Sequence, residues 1–260
     1  MAPPLIYLVH GFLGDCDDWE PVAEILGTRA RCVGVALPGH TAAATAGADR
    51  VELHSFSLDG AAEQLAQLTT SSAGATVVGY SMGGRVALRA ASLSPQSFAR
   101  LLLLSTQPGI DDPAARTTRA AADLRLAHQL ERMNLTAFRR FLHEWYGAPL
   151  FGDFASRADF AEIVECRARQ DPRQLASALR AFTVGAQLPL WDTLLQLGQR
   201  CRYLSGIDDT TYAAVGAEIR QRAPGVEVYE VTGAAHALHR EAPAVVAGHL
   251  IAMLDNGATL

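Results

Sequence analysis

Short runs of apolar residues alternate along the chain with longer segments in which apolar residues recur every three to four positions. The short runs are bounded by Gly, Pro or polar residues and predict buried strands at Leu5–His10, Cys32–Leu37, Thr76–Tyr80, Leu101–Ser105, Cys201–Ser205 and Val226–Val231. The segments between them have the helical period, as at Trp19–Leu26, Leu58–Leu68 and Gly83–Leu93. This alternation predicts an α/β fold, with a mostly parallel sheet flanked by helices.

The stretch from residue 108 to residue 200 breaks the alternation. It contains amphipathic helical patterns and no convincing strand, and the patterns lie at Ala114–Met133, Leu135–Trp145, Ser156–Arg169 and Gln174–Val184. Because it follows a strand end, it predicts a helical lid over a site at the carboxyl edge of the sheet. We therefore expect a single structural domain, with a core formed by residues 1–107 and 201–260 and a lid inserted as residues 108–200.

Charge and composition exclude several classes of function. The net charge of −5 argues against a nucleic-acid-binding protein, which needs a basic face. No apolar run reaches the roughly 18–20 residues that cross a bilayer, and the N-terminus does not resemble a signal peptide, so we predict a cytoplasmic protein without membrane insertion. The four cysteines form no CxxC pair and predict buried thiols rather than a metal site. All 22 basic residues are Arg, so an anion must be bound by Arg, His or backbone amides.

The segment Gly79-Tyr80-Ser81-Met82-Gly83 matches the pattern G-x-S-x-G. It lies between a predicted strand and a predicted helix, the setting in which a strained turn lifts a serine above the sheet edge. Ser81 is therefore the predicted reactive residue. An oxyanion hole requires two backbone amides, and by position they are those of Met82, at the helix start, and Phe12, in the loop after the first strand.

An acid and a histidine should follow the serine in chain order. Asp209 follows the fifth predicted strand and is preferred to Asp208 because it lies further into the loop. His236 follows the last predicted strand, and its competitor His239 is expected to be solvated at the start of a helix. His10 and His40 are expected to shape their loops rather than to react.

Several segments resemble one known family: His10-Gly11-Phe12-Leu13-Gly14-Asp15 with Trp19, Leu37-Pro38-Gly39-His40, Gly79 to Ala87, Pro108-Gly109, Trp145-Tyr146 with Pro149-Leu150-Phe151, and Ala235 to Glu241. The first three are common in hydrolases. The Arg after the elbow glycines, the Trp-Tyr…Pro-Leu-Phe block and the His-x-x-His-Arg-Glu block are more specific. On these residues the chain resembles, along nearly its whole length, the 2-succinyl-6-hydroxy-2,4-cyclohexadiene-1-carboxylate (SHCHC) synthases of menaquinone and phylloquinone biosynthesis, which have the α/β-hydrolase fold.

The resemblance implies a lyase that eliminates pyruvate from 2-succinyl-5-enolpyruvyl-6-hydroxy-3-cyclohexene-1-carboxylate, a small anionic carboxylate. Ser81 would take a proton from the substrate, His236 would accept the serine proton, and Asp209 would hold the imidazole. The resemblance implies neither a metal nor an organic cofactor. The alternative is a serine hydrolase that cleaves an ester, thioester or C–C bond of a small anionic substrate with the same three residues.

The resemblance also implies which residues bind the substrate: Tyr80, Arg85, Arg119, Trp145, Tyr146 and Arg167. Arg85 lies one helical turn after Ser81, and the paired donors of a guanidinium suit carboxylates. We expect these arginines to be largely solvated in the free protein. The chain departs from the family at Ala235 and Thr41, where Gly is common, and near Thr211, where a basic residue is common. These departures affect the shape of the pocket rather than the reaction.

Overall fold

The computed structural model describes residues 3–40, 49–72 and 75–255, and its centre is a seven-stranded sheet in which every neighbouring pair is parallel. The strands are β1 Leu5–Val9, β2 Arg31–Ala36, β3 Arg50–Glu52, β4 Ala75–Tyr80, β5 Phe98–Leu104, β6 Cys201–Gly206 and β7 Glu227–Val231. The predicted fold, a parallel sheet flanked by helices, is confirmed. The departure predicted at Thr41 lies outside the described residues.

The helices that connect and cover the strands are α1 Glu20–Leu26, α2 Leu58–Ser71, α3 Met82–Leu93, α4 Pro113–Leu130, α5 Leu135–Tyr146, α6 Phe160–Arg167, α7 Pro172–Ala181, α8 Trp191–Leu197, α9 Thr210–Arg222, α10 Leu238–Glu241 and α11 Pro243–Asp255. Several of these helices have an N-cap residue whose side chain accepts hydrogen bonds from the first backbone amides. The carboxylate of Asp112 accepts hydrogen bonds from two amides of α4, and the side-chain oxygen of Asn134 accepts one from an amide of α5. Proline at the first position of α4 and of α7 fixes a helical φ where no amide partner is needed.

The order of the strands across the sheet is β3-β2-β1-β4-β5-β6-β7. The chain runs outward from β1 to β3 and then returns to place β4 on the other side of β1. The loops after β1 and β4 therefore leave the sheet in opposite directions and open a crevice between them, which is where parallel α/β sheets bind ligands. The fold thus places the Phe12 loop and the Ser81 turn side by side.

The two edge strands differ from the prediction. A buried strand was expected at Val226–Val231, but among the described strands β7 pairs only with β6, and Glu227, Tyr229 and Glu230 are exposed. The short strand β3 was not predicted, because Arg50–Glu52 has no apolar run and its side chains are partly or fully exposed. Neither difference affects the central strands, where the apolar pattern predicts buried residues and the structure has them.

Residues 106–200, all of which are described, contain helices and no strand. Within this stretch α4 packs on α7 and α5 packs on α6, whereas α8 packs on the core helices α3 and α9. We therefore group α8 with the core and use "helical insertion" for α4 to α7, residues 113–181. None of the described helices combines the length and the apolar character needed to span a bilayer.

Candidate active site

Ser81 occupies a strained turn between β4 and α3. Its φ and ψ are 51° and −109°, a combination that side-chain-bearing residues rarely adopt. The turn also needs glycine on both flanks, because a Cβ on Gly79 would lie 2.4 Å from the Cα of Gly84 and one on Gly83 would lie 2.3 Å from the oxygen of His10. The turn lifts the Ser81 hydroxyl to the carboxyl edge of the sheet, beside the first turn of α3.

Ser81, His236 and Asp209 form a chain of hydrogen bonds. The Nε2 atom of His236 lies 3.2 Å from Ser81 Oγ, and its Nδ1 atom lies 2.6 Å from Asp209 Oδ2. The second oxygen of Asp209 accepts a hydrogen bond from the amide of Tyr212 at 3.0 Å. With Nδ1–H donating to the carboxylate, the lone pair of Nε2 faces the serine. Asp208 is exposed, so Asp209 is the acid that meets the histidine.

His239 does not take part in this chain. It was expected to be solvated, but it is buried, with its ring 4.8 Å from that of Trp19 and 4.4 Å from that of Tyr80. Burial lowers its pKa to about 3, so the imidazole is neutral at ordinary pH. The expectation was wrong because helix α10 packs against the core rather than facing solvent.

His10 and His40 join the loops that follow β1 and β2. His10 Nε2 accepts a hydrogen bond from the amide of Leu37 at 3.0 Å, and His40 Nε2 accepts one from the amide of Leu13 at 3.2 Å. Both imidazoles are buried, and burial lowers the pKa of His10 to about 4. They fix the loop that carries Phe12, as expected.

A cavity of about 360 Å³ lies in front of Ser81, between the sheet edge and the helical insertion. Every site residue predicted from the sequence lines it except Asp209, which is buried behind His236. The lining includes Phe12, Tyr80, Ser81, Met82, Arg85, Arg119, Trp145, Tyr146, Arg167 and His236. The insertion supplies the aromatic wall, since Trp145 contacts Phe12 with ring centres 5.6 Å apart. The described residues include no group of His, Cys, Asp and Glu suited to a metal ion.

Arg85 is a buried cation with no carboxylate partner among the described residues. Only 7% of it is exposed, and within the described residues its side chain makes one long hydrogen bond, from Nη1 to Gln187 Oε1 at 3.4 Å. Burial lowers its pKa to about 10, because the charge of Asp123 offsets only part of the lost hydration. The expectation of a solvated side chain was wrong here, because the insertion covers the first turn of α3. A buried guanidinium without a counter-ion is suited to binding an anion from the cavity.

Arg167 is equally buried but is bound by two carboxylates. Its Nη1 lies 2.7 Å from Asp15 Oδ2, its Nη2 donates to Asp18, and its Nε is 3.4 Å from the Tyr146 hydroxyl. Although burial opposes it, the charge of Arg167 lowers the pKa of Asp18 to about 2. The expectation of solvation was wrong for Arg167 too, because α6 presses it against the loop after β1.

Arg119 lies at the rim of the cavity. Its side chain is 48% exposed, and its Nε donates to Asp123 Oδ1 at 2.9 Å, one turn along α4. Asp123 also accepts a hydrogen bond from the Thr183 hydroxyl at 2.5 Å. Arg119 therefore matches the expectation of a solvated side chain.

The sequence reading missed Tyr212. Its ring centre lies 4.6 Å from that of His236, and it lines the cavity next to Ser81. Its position was the available signal, because the residue three places after Asp209 falls in the first turn of α9, directly beneath the acid. Asp15 and Asp18 were also missed, since nothing local in the sequence pairs them with a residue about 150 positions away.

A profile of the alpha/beta hydrolase family matches residues 6–249. The chain belongs to the alpha/beta hydrolase family. Within this family, it is 32% identical over 257 residues to the SHCHC synthase of Salmonella paratyphi C, an alignment that covers 97% of this chain and 94% of the relative. It is 29% identical over 254 residues to the protein PHYLLO, chloroplastic, of Arabidopsis thaliana, covering 90% of this chain and 14% of that much longer one.

Solved structures of the alpha/beta hydrolase family show the same architecture. The structure of MenH from S. aureus superimposes with a TM-score of 0.86 at 23% identity, covering 98% of this chain and 95% of that one. At 23% identity, this match shows the fold alone. Together with the relatives of higher identity, it confirms the predicted resemblance to the SHCHC synthases.

Proposed function

We propose that this alpha/beta hydrolase family member is an SHCHC synthase, a lyase that eliminates pyruvate from 2-succinyl-5-enolpyruvyl-6-hydroxy-3-cyclohexene-1-carboxylate. The observation that carries the proposal is Arg85, a buried guanidinium without a carboxylate partner among the described residues, one turn from Ser81. Such a site favours an anionic substrate over a neutral ester. The name of the Salmonella relative, a synthase of 2-succinyl-6-hydroxy-2,4-cyclohexadiene-1-carboxylate, supports an anion of this class.

In the proposed reaction, Ser81 acts as a base through His236. The serine proton passes to His236 Nε2, Ser81 Oγ takes a proton from a substrate carbon, and the resulting electron pair expels the enolpyruvyl oxygen. The leaving enolpyruvate then takes the proton held on His236 Nε2 and becomes pyruvate, which returns the three residues to their starting state. A serine hydroxyl is too weak a base alone, which is why the 3.2 Å contact to the imidazole matters. Asp209 holds the imidazole in the tautomer required.

Negative charge develops on the substrate carbonyl that is conjugated with the deprotonated carbon. We assign its stabilisation to the backbone amides of Phe12 and Met82, which flank the crevice between β1 and β4. The first backbone amides of a helix have no partner within the helix, so the amide of Met82 is free to donate a hydrogen bond to the substrate. These two amides need no movement when charge develops, because the turn and the loop are both fixed.

The cationic and aromatic side chains would place the substrate. Arg85 takes one carboxylate deep in the cavity, and Arg119 takes another at the rim. Arg167 also lines the cavity, but with two carboxylates on it we assign it the smaller share of binding. The aromatic residues Tyr80, Trp145 and Tyr146 form the walls against which the substrate ring packs.

Substitutions in the triad test this function. We expect Ser81→Ala, His236→Ala and Asp209→Asn each to lower pyruvate release by about two to four orders of magnitude. The matched control is Asp208→Asn, which removes the neighbouring exposed carboxylate and should leave the rate unchanged. Half of the original rate in Ser81→Ala would contradict the proposal.

The alternative is a serine hydrolase that forms an acyl-enzyme with the same residues. Mass spectrometry of rapidly quenched enzyme separates the two mechanisms, because a proton relay leaves Ser81 unmodified during turnover. An adduct on Ser81 that forms and decays at the turnover rate would favour the hydrolase. Labelling by a serine-directed phosphonate does not separate them, since an activated hydroxyl reacts in either case.

A further inference from the structure

Tyr212 contacts every member of the triad through a different part of the residue. Its amide donates to Asp209 at 3.0 Å, and its ring lies 4.6 Å from the ring of His236. Its side chain lines the cavity together with that of Ser81, whose Oγ lies 3.2 Å from the same imidazole, and the Tyr212 hydroxyl interacts electrostatically with Ser81. The Tyr203 hydroxyl donates to the Tyr212 carbonyl at 3.0 Å and so helps to fix the residue at the start of α9.

The surroundings of the Tyr212 hydroxyl determine its protonation state. Burial raises the pKa of Tyr212, although the charges of Arg119 and Arg85 act in the opposite direction. The phenol is therefore neutral over the working pH range and keeps a proton that it can donate. In the same cavity, the Ser81 oxygen becomes an anion once it has passed its proton to His236.

We propose that the Tyr212 hydroxyl is a further catalytic group, which donates a hydrogen bond to Ser81 Oγ and stabilises it as an alkoxide. The inference rests on the proposed role of Ser81 as a base. The Tyr212 O–H bond is not broken: the serine proton moves to His236 Nε2, and Ser81 Oγ then takes the substrate proton. A neutral phenol fits this task, because it supplies a hydrogen-bond donor and carries no positive charge. A positively charged donor would instead bind the substrate carboxylates at the wrong position.

The variant Tyr212→Phe removes the hydroxyl. It keeps the hydrogen bond from the backbone amide to Asp209 and the contact of the ring with His236. We expect kcat for pyruvate release to fall roughly tenfold, with KM within about twofold, because the lost hydrogen bond forms chiefly in the transition state. Tyr7→Phe is the matched control. It removes a phenol hydroxyl that bonds Ser72 at 2.9 Å, on β1 and outside the cavity lining, and should leave both constants unchanged.

Two further measurements isolate the contact with Ser81. In a Ser81→Ala background, Tyr212→Phe should cause no additional loss, since the group it acts on is gone. In the enzyme with Ser81 intact, labelling of Ser81 by a small neutral phosphonate should also slow several-fold. That labelling needs no native substrate, so it tests Tyr212 even if pyruvate release, and with it the proposed function, fails.

Three results would overturn the inference. The first is an unchanged kcat in Tyr212→Phe, and the second is a rise in KM alone, which would make Tyr212 a carboxylate ligand beside Arg85. The third is a fall in rate on Tyr212→Phe that is equally large when Ser81 has been replaced by Ala. If Tyr212→Phe does not give folded protein by thermal unfolding, Tyr212→Leu replaces it. This variant keeps the backbone contact to Asp209, and its phosphonate labelling should slow at least as much.

Discussion

The cavity has two buried guanidinium groups, and they differ in what neutralises them. At one end Arg85 lies beside the Ser81 turn with no carboxylate partner among the described residues, and at the other Arg167 is held by Asp15 and Asp18. Both side chains are less than a tenth exposed. Burial alone therefore does not distinguish a binding arginine from a structural one. The missing counter-charge does, because a buried cation without a partner is costly unless a ligand supplies the anion.

The Arg167 end also connects the helical insertion to the core. Arg167 lies on α6, its two carboxylates lie after β1, and nearby the Gln170 side chain donates to the Leu13 carbonyl at 2.9 Å. The Arg85 end has one long contact, to Gln187. We therefore expect stability to depend on Arg167 and activity to depend on Arg85.

The largest expected effect is on stability. Replacing Arg167 by Met leaves two carboxylates buried without a cation, which costs about 3–5 kcal/mol in the free energy of unfolding. Arg85→Met removes an unpaired cation and should change that free energy by less than about 1 kcal/mol, or increase it. Urea unfolding of both variants measures the difference. Adding Asp15→Asn and Asp18→Asn to Arg167→Met should restore much of the loss. Equal effects of the two Met variants would contradict the comparison.

Activity should show the opposite order. Arg85→Ala removes a charge-assisted contact worth about 1.5–3 kcal/mol, or roughly 10- to 150-fold in kcat/KM for the anionic substrate. Arg85→Lys should recover only part of it, because one ammonium cannot reproduce the paired donors. A small neutral ester, if it is cleaved at all, should react almost as before. Losses of the same size on both substrates would show that Arg85 does not bind a carboxylate.

The pH dependence of stability should come from the Arg167 end. Burial lowers the pKa of His10 to about 4 and that of His239 to about 3, so both stay neutral when folded. The unfolded chain binds protons as pH falls below about 6.5, so their contribution is present above that pH and is lost below it. From pH 7.5 to pH 5, each should cost about 2 kcal/mol of unfolding free energy.

The variant His239→Phe isolates one of these histidines. It keeps the ring between Trp19 and Tyr80, and the Nδ1 atom that it removes has no hydrogen-bond partner in the part of the chain that the structure describes. Urea unfolding at the two pH values should show a pH dependence smaller by about 2 kcal/mol than that of the original protein. An unchanged dependence would show that His239 is protonated in the folded state.

The smallest effect should come from Arg119, which is half exposed and already paired with Asp123. Arg119→Ala should lower kcat/KM roughly 2- to 12-fold, which corresponds to a loss of about 0.5–1.5 kcal/mol of transition-state stabilisation. The loss is small because water screens the charge of Arg119 at the cavity rim. Steady-state kinetics at low and high salt measures this, and the loss should shrink as salt is added. A loss larger than that of Arg85→Ala would reverse the assigned roles.

The same contrast shows how far the sequence could predict the molecule. The central strands and the Ser81 turn follow from local patterns, since apolar runs and paired glycines act within a few residues. Strand ends fix which loops meet at the sheet edge, and Asp209 could be preferred to Asp208 because it lies further into its loop. The edge strands β3 and β7 were harder to predict, because a strand with one neighbour needs no fully apolar pattern.

Long-range contacts account for what the sequence did not predict. The polar partner of Arg85 lies 102 positions away in the sequence, and those of Arg167 lie about 150 positions away. The residues next to either arginine therefore do not indicate whether its charge is neutralised. The burial of His239 depends in the same way on Trp19, across most of the chain. Tyr212 is different, since its place one turn into α9 was visible once Asp209 had been chosen as the acid.

The most direct test is pyruvate release by the purified protein from 2-succinyl-5-enolpyruvyl-6-hydroxy-3-cyclohexene-1-carboxylate. A coupled assay for pyruvate, run together with the absorbance of the conjugated diene product, measures both products of one elimination. The proposed function predicts equal rates of appearance, rapid turnover, and loss of at least about a hundredfold in Ser81→Ala. No release of pyruvate above the uncatalysed rate, from a folded protein that still reacts with a serine-directed phosphonate, would contradict it.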